Sequence, residues 1–322
     1  MSIRRNILVL GAGWPLAPMA REAGSARRVA YLGTSLNSMH LQDAFVAALR
    51  ERGRVVGKNL ILDVRYTEGL PERVPALTQE LLALHPDIFV AATDVSARAA
   101  VAAGAALPII FILGFDPVGI GLVRSLGRPG VQVTGFSVLN WELNPKRLSL
   151  LKEAIPHLNR VALFYVEGDP AAGAALQSTE LAGRHLKIEV IRAPIRSPDD
   201  FEPTFLRVVR AGAKGVMNVP DSLFFKWRQR LADLAIQYRL AAMFGATEFA
   251  EAGMLLAYGT DFKDLYVRAA TLVERVLNGT DPASIPVEQA NTYELVINRR
   301  TARTLGIELP RTLLLQTTRI IE

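Results

Sequence analysis

The sequence of 322 residues contains no cysteine, so disulfide bridges, thiolate metal sites and cysteine nucleophiles are excluded. It has no uninterrupted apolar run approaching the roughly eighteen residues that a membrane-spanning helix requires. Histidine is scarce, and no carboxylate stands at metal-ligand spacing from the four present, which are His40, His85, His157 and His185. Neither a Gly-x-Ser-x-Gly elbow nor a phosphate-binding Gly-Lys-Ser/Thr loop occurs. We therefore expect no metal, no cofactor and no enzymatic activity.

The formal net charge of +6 is concentrated at the amino terminus. The first 28 residues carry a single acidic residue, Glu22, against five basic ones, which are Arg4, Arg5, Arg21, Arg27 and Arg28. Without that segment the net charge falls to about +2, and no basic run alternates with aromatic residues. We therefore expect no nucleic-acid partner.

Residues 1–27 allow three interpretations. Gly11 and Gly13 after an apolar run suggest a dinucleotide turn, but the third glycine of that fingerprint would fall at Leu16. Arg4-Arg5 followed by an apolar stretch at residues 7–19 suggests a degenerate export signal, which we favour. The alternative is a disordered cytoplasmic tail.

The chain exceeds the roughly 250–300 residues at which single cores stop growing, so two lobes are expected. Short apolar runs alternate with helical apolar stripes in two successive series. The first series predicts strands at 29–32, 60–64, 87–91, 108–113 and 131–136, with helices that include 97–106 and a short one at 119–126. The second predicts strands at 160–166, 188–191, 215–219, 241–244 and 254–258, with helices that include 148–155, 171–185, 201–210 and 223–239. A helix at 261–277 and returning strands at 294–298 and 313–321 complete the pattern.

This pattern predicts an α/β fold of two doubly wound parallel-sheet lobes with a cleft between them. We expect residues 28–137 and 262–285 to form the N-terminal lobe, and residues 138–261 and 286–322 the C-terminal lobe. A chain that passes between the lobes several times forms a hinge.

Small polar residues directly follow two adjacent predicted strands. Thr93, Asp94 and Ser96 follow the third strand, and Asp116 follows the fourth. The carboxyl ends of parallel strands are where open α/β sheets bind small ligands, so we expect these residues around one crevice. Thr93 and Ser96 would receive a ligand carboxylate beside a helix N-terminus. Capping of that helix by Asp94 or Ser96 is the competing interpretation.

Further candidates lie at other strand ends. Thr34 and Ser35 follow the first strand, with helix capping as the alternative role. A ligand ammonium group needs a carboxylate, which either Asp116 or Asp221 can supply, although the first also suits a turn and the second a helix cap. Tyr165 and Tyr258 lie near predicted strand ends and are candidates to stack on a planar ligand, or they belong to the core.

Several stretches, in this order and spacing, resemble one known family: residues 28–33, 53–66, 108–111, 116–118, 121–123, 133–135, 253–262, 294–298 and 305–307. From Arg28 to Ile321 the chain resembles ABC-transporter substrate-binding proteins of the tryptophan/tyrosine type, which have a type I periplasmic-binding fold. The resemblance implies ligand contacts at five positions, namely Thr34, Ser35, Thr93, Asp116 and Asp221. This chain departs from the family at Asp94, where proline is common in the family, and at Ser222, where asparagine is common.

The resemblance implies a periplasmic receptor that captures an amino acid or aromatic acid by hinge closure and delivers it to an ABC permease. Closure follows from population shift, because a ligand that touches both lobes binds the closed form better. We expect the receptor to be a monomer. The alternatives are a ligand-sensing module with the same fold and, as a weaker case, a two-lobed enzyme, for which no convincing acid–base pair is present.

Overall fold

The computed structural model describes residues 26–138, 140–169 and 172–322. The expected export signal at residues 1–27 lies outside these residues except for its last two. The predicted fold class is confirmed, because two sheets of mainly parallel strands, each flanked by helices, account for the described chain.

The first sheet is built entirely from parallel pairs. Its order is β11-β5-β4-β3-β1-β2, with strands β1 Arg27–Gly33, β2 Leu60–Tyr66, β3 Ile88–Thr93, β4 Ile109–Gly114, β5 Val133–Ser137 and β11 Glu288–Gln289. One face is covered by α1 Met39–Glu51 and α10 Phe262–Leu277, and the other by α2 Val74–Leu82 and α3 Asp94–Ala102. Because both faces are covered, the central strands are continuous apolar runs rather than alternating ones.

The second sheet has the order β13-β12-β10-β9-β8-β6-β7. Its strands are β6 Arg160–Val166, β7 Glu189–Ile195, β8 Gly215–Asn218, β9 Ala241–Phe244, β10 Leu256–Thr260, β12 Tyr293–Asn298 and β13 Arg319–Ile321. On one face lie α4 Asn144–Ala154, α5 Ala172–Leu186, α11 Arg299–Leu305 and α12 Arg311–Leu315. On the other lie α6 Phe201–Arg210, α7 Ser222–Lys226, α8 Arg228–Gln237 and α9 Thr247–Glu251. Only β12 and β13 run against the rest, because β12 pairs antiparallel with β10.

The chain passes between the two sheets three times: from β5 to α4, from β10 to α10, and from β11 to β12. Phe262, at the second crossing, packs against the cores of both lobes. Glu288–Gln289 pairs with β5 of the first sheet, whereas the expected division placed residues 286–322 in the C-terminal lobe. The rest of the expected division of residues between the two lobes stays a prediction.

Several predicted elements have different bounds in the structure, and four of these differences have a local cause. The helix expected at 97–106 begins at Asp94, where Thr93 serves as its N-cap, and ends before Gly104, whose φ is +75°. The short helix expected at 119–126 is a series of turns, which starts at the Asp116-Pro117 turn and includes Gly121 at φ +70°. Backbone conformations with positive φ interrupt helices and favour glycine.

The other two differences lie in the second lobe. The helix expected at 223–239 is interrupted at Trp227, whose φ of −101° and ψ of 19° end α7 before α8 begins. The strands expected at 313–321 are instead the short helix α12, which begins after Pro310, and the three-residue strand β13. Proline cannot donate a backbone hydrogen bond and is well suited to a helix start.

Candidate functional site

Thr93 and Ser96 form the first turn of α3, directly after the central strand β3. The Thr93 side chain accepts a hydrogen bond from the Ser96 backbone N–H at 3.3 Å, and the two hydroxyl oxygens are 3.3 Å apart. Thr93 therefore caps α3, whereas the competing interpretation had assigned the cap to Asp94 or Ser96. The two hydroxyls stay together at a helix N-terminus, where the helix dipole favours a negatively charged group.

Asp94 is a buried carboxylate that joins two strand ends. Its side chain accepts from the Val95 N–H at 2.8 Å and from the Phe115 N–H at 2.9 Å. Burial raises its pKa, while the backbone hydrogen bonds partly oppose that rise. Because Phe115 follows β4, Asp94 brings the loops after β3 and β4 together, which places the predicted residues of these two loops side by side.

Asp116 is exposed at the start of the turn after β4. Its carboxylate accepts from the Gly119 N–H at 2.9 Å, as in a turn closed by an aspartate side chain. The turn role that competed with ligand binding is therefore present in the structure. The second carboxylate oxygen has ample room to meet a cation, since the residue is exposed.

Thr34 and Ser35 lie after β1, which is the neighbour of β3. The loop after β2 holds them in place: the Thr34 carbonyl accepts from the Thr67 hydroxyl at 3.1 Å and from the Gly69 N–H at 3.0 Å. The Ser35 hydroxyl donates to Glu68 at 3.2 Å. Neither side chain caps α1, whose N-cap is Ser38. Glu68, which sequence reasoning missed, has a positive φ of 55° and positions this loop.

On the second lobe, Asp221 follows β8 and caps α7. Its side chain accepts from the Leu223 N–H at 2.6 Å. Burial raises its pKa, and so does the nearby carboxylate of Asp169, while hydrogen bonds from the Leu223 N–H and the Ser222 side chain partly oppose that rise. Tyr165 is half-buried near the end of β6, the strand next to β8.

Tyr258 lies further along the same sheet, in β10. Its ring contacts that of Tyr293 with centroids 6.0 Å apart, and burial raises the pKa of its hydroxyl. The strands β8 and β9 separate it from Tyr165, so the two tyrosines do not face each other as one aromatic pair.

A buried arginine, Arg147 of α4, was missed by sequence reasoning. Its guanidinium donates to the Tyr258 carbonyl at 2.6 Å and to the Asn144 side chain at 2.7 Å, and burial lowers its pKa to about 9. Gly245 makes room for it, because a β-carbon there would lie 2.8 Å from a guanidinium nitrogen. The signal available in the sequence was its position, since Arg147 shares one helix face with Asn144, Leu148 and Leu151, and the last two are apolar.

Within residues 26–138, 140–169 and 172–322, no group of three His, Asp or Glu side chains is arranged to hold a metal ion. In the same part of the chain, no helix combines the length and apolar character needed to cross a bilayer.

Two parallel-sheet lobes with polar residues at their strand ends define the fold of a two-lobed solute-binding protein. A family model described as ABC transporter substrate binding protein matches residues 35–321, and the chain belongs to that family. The predicted resemblance is thereby confirmed, as is the prediction of a solute receptor rather than a sensing module. The family is one of substrate-binding proteins.

Three relatives illustrate this similarity. A tyrosine-binding protein of Clostridioides difficile (strain R20291) is 25% identical over 265 residues, which cover 82% of this chain and 76% of that protein. A conserved domain protein from Vibrio cholerae has a structure with a TM-score of 0.82 and 25% identity, covering 92% of this chain and 99% of that one. An ABC domain from Streptococcus pneumonia in complex with L-Trp has a TM-score of 0.79 and 22% identity, covering 92% and 100% of the two chains.

Proposed function

We propose that this protein captures an aromatic amino acid in the cleft between its lobes and delivers it to an ABC permease. The observation that carries the proposal is the family match, together with a relative named for tyrosine binding and a related fold solved with L-Trp. We place the protein outside the cytoplasm, in the periplasm, and expect it to act as a monomer. A dissociation constant in the micromolar range, which corresponds to a binding free energy of about −8 kcal/mol, suits tight but reversible capture.

The ligand carboxylate binds, in this proposal, at the hydroxyls of Thr93 and Ser96 and at the N-terminal end of α3. Two backbone loops that meet through the Asp94–Phe115 hydrogen bond support this position. Asp94 itself enters the proposal as a positioning residue, because its carboxylate already accepts two backbone hydrogen bonds. Thr34 and Ser35 form the neighbouring wall.

The ligand ammonium group binds to a carboxylate, for which Asp116 and Asp221 are the candidates. Asp116 accepts its turn hydrogen bond through one oxygen, whereas Asp221 accepts from both the Leu223 N–H and the Ser222 side chain. Because a carboxylate has about four acceptor sites, either group can accept a further charge-assisted hydrogen bond from the ligand. Tyr165 and Tyr258 are proposed to contact the ligand side chain from the second lobe. Their separation in the sheet favours contacts at two different edges of the ligand.

The first experiment is a thermal-shift and calorimetry screen of L-Trp, L-Tyr, L-Phe, branched amino acids, aromatic acids, purines and sugars. A ligand at about 100 times its dissociation constant adds about 2.7 kcal/mol to the free energy of unfolding. We expect the largest shift with an aromatic L-amino acid. A sugar or purine that binds while every amino acid fails would contradict the proposal.

The second experiment separates ligand binding from helix capping. Asp116→Asn and Asp221→Asn retain the turn and the cap, because asparagine serves both roles, and each removes only the charge. We expect at least one of them to weaken amino-acid binding about tenfold or more, as for a lost hydrogen bond to a charged group.

The matched control is Asp281→Asn, which alters another capping aspartate. Asp281 accepts from the Ala283 N–H at 3.0 Å and lies beside Gln132, at the amino end of β5. Affinity unchanged in this control and in both of the other variants would refute the carboxylate assignment.

A further inference from the structure

An ionisable pair joins α1 of the first lobe to α9 of the second. The His40 imidazole Nε2 lies 3.5 Å from the Glu248 carboxylate Oε1. Glu248 is buried, with 6% of its surface exposed, whereas 53% of the His40 side chain is exposed. The two residues therefore meet where one face of the histidine still contacts water.

The pair joins one helix of each lobe, and each helix follows a strand of its own sheet. His40 is in the first turn of α1, after β1, and Glu248 is in α9, after β9. A second contact between the lobes joins the loop after β2 to α7. A β-carbon built at Gly69 in that loop would lie 3.6 Å from Cδ of Lys226. The chain connects the lobes at the three crossings near β5, β10 and β12, so a hinge opening there separates these two contacts.

We propose that the His40–Glu248 pair is an interlobe latch that stabilises the closed form and makes ligand retention depend on pH. When the imidazole is protonated, it forms an ion pair with the carboxylate and adds to the free energy of closure. When it is neutral, the pair is at most a hydrogen bond. The latch acts on closure and does not touch the ligand.

The surroundings of Glu248 support a carboxylate that needs a cationic partner. The Thr247 hydroxyl donates to its second oxygen at 3.3 Å. Two further ionisable groups interact with it. They are Tyr266 of α10, whose pKa burial raises to about 12, and Glu294 of β12, whose pKa burial and neighbouring carboxylates raise against the opposing effect of Arg319. Neither Tyr266 nor Glu294 is a cation, whereas a histidine side chain is positively charged when it is protonated.

The inference rests on the proposed hinge closure, so its test begins without any ligand. The chain has no cysteine, and Glu72→Cys with Asp199→Cys therefore gives one fluorophore pair across the cleft. These exposed positions follow β2 and β7, the strands furthest from the crossings in their sheets, where opening displaces the lobes most. Energy transfer then reports the distance between the lobes at about pH 5.5 and about pH 8, on either side of the ordinary histidine value near 6.5.

In the otherwise unaltered protein, we expect the ratio of closed to open forms to be about two- to fivefold higher at the lower pH, as for a partly exposed ion pair. His40→Gln should abolish this response, and Glu248→Gln should do the same. His185→Gln, at the exposed end of α5, is the matched control and should retain it. A response that persists in His40→Gln, or its absence from the parent protein, overturns the latch.

A second arm measures the dissociation rates of L-Trp and L-Tyr in the same variants. We expect His40→Gln to release a bound amino acid about two- to fivefold faster at about pH 5.5 and at the parent rate at about pH 8. If His40→Gln and the parent protein release the amino acid at equal rates at both pH values, the latch is overturned while the proposed function stays intact. If neither amino acid binds, the proposed ligand class fails, and the ligand-free arm still decides the latch.

Discussion

The buried carboxylate of Asp94 offers the sharpest test of how the candidate site is held together. Asp94→Ala removes the acceptor of the Phe115 N–H, which joins the loops after β3 and β4, and the acceptor of the neighbouring Val95 N–H. Asp94→Asn keeps the shape and one acceptor oxygen. Both changes leave Thr93 and Ser96 in the sequence, so they alter the support of the site rather than its hydroxyls. We expect both to destabilise the protein, alanine more than asparagine.

The magnitude follows from the two hydrogen bonds at 2.8 and 2.9 Å. Hydrogen bonds to a charged group contribute about 1.5–3 kcal/mol each, but the burial that raises the pKa of Asp94 shows a cost of desolvation that offsets part of this. Val95 and Phe115 are 50% and 38% exposed, so water can reach the N–H groups left behind. We therefore expect a net loss of about 1–3 kcal/mol for alanine and about half of that for asparagine.

Urea unfolding followed by tryptophan fluorescence measures the loss, and thermal melting checks it. For a chain of this size, about 1 kcal/mol corresponds to roughly 2 °C, so Asp94→Ala should melt about 2–6 °C lower. Asp116→Ala is the matched control, because it removes a single bond at an exposed turn and should cost no more than about 1 kcal/mol. The account would be refuted if Asp94→Ala had the same urea midpoint of unfolding as the parent protein, or if Asp116→Ala lost more free energy of unfolding than Asp94→Ala.

Three further changes test other parts of the structure. Arg147→Ala should lower the free energy of unfolding by about 3–5 kcal/mol in urea titration, because it leaves buried acceptors unpaired and a cavity between α4 and β10. A loss below about 1 kcal/mol would contradict this. Gly183→Ala should destabilise by about 1–3 kcal/mol in thermal melting, since its β-carbon would lie 2.6 Å from the Ile188 carbonyl, whereas Gly173→Ala at the open start of the same helix should be neutral or stabilising by up to about 1 kcal/mol. Asp221→Asn should be more stable than the parent at pH 7 and equal to it near pH 4: burial raises the folded pKa of this carboxyl, so its contribution is complete below the unfolded value of about 3.9 and is lost as pH rises through the folded one. Urea titrations at both pH values measure that difference, and a gain that persists at low pH would show that charge is not its cause.

Local signals in the sequence predicted most of the strands and the positions of the candidate residues. The apolar runs of β3 and β4 are buried on both faces, and such runs are visible without knowledge of the neighbours. The polar residues after them had to lie at the carboxyl edge of a parallel sheet, which brought Thr93 and Asp116 to neighbouring loops. Boundaries were less accurate where a single residue decides them, as at Trp227, whose backbone angles end α7 with no glycine or proline to indicate it.

Only the tertiary structure decided which polar groups meet. Asp94 is a strand-end carboxylate in the sequence, and its backbone partner at Phe115 exists because β3 and β4 pair in a particular register. Arg147 is an ordinary helix residue until Gly245 gives its guanidinium space beside β10. Periodicity along a chain records which face of an element is buried. It does not record which side chain from a distant element covers that face, because that depends on the packing of the whole molecule.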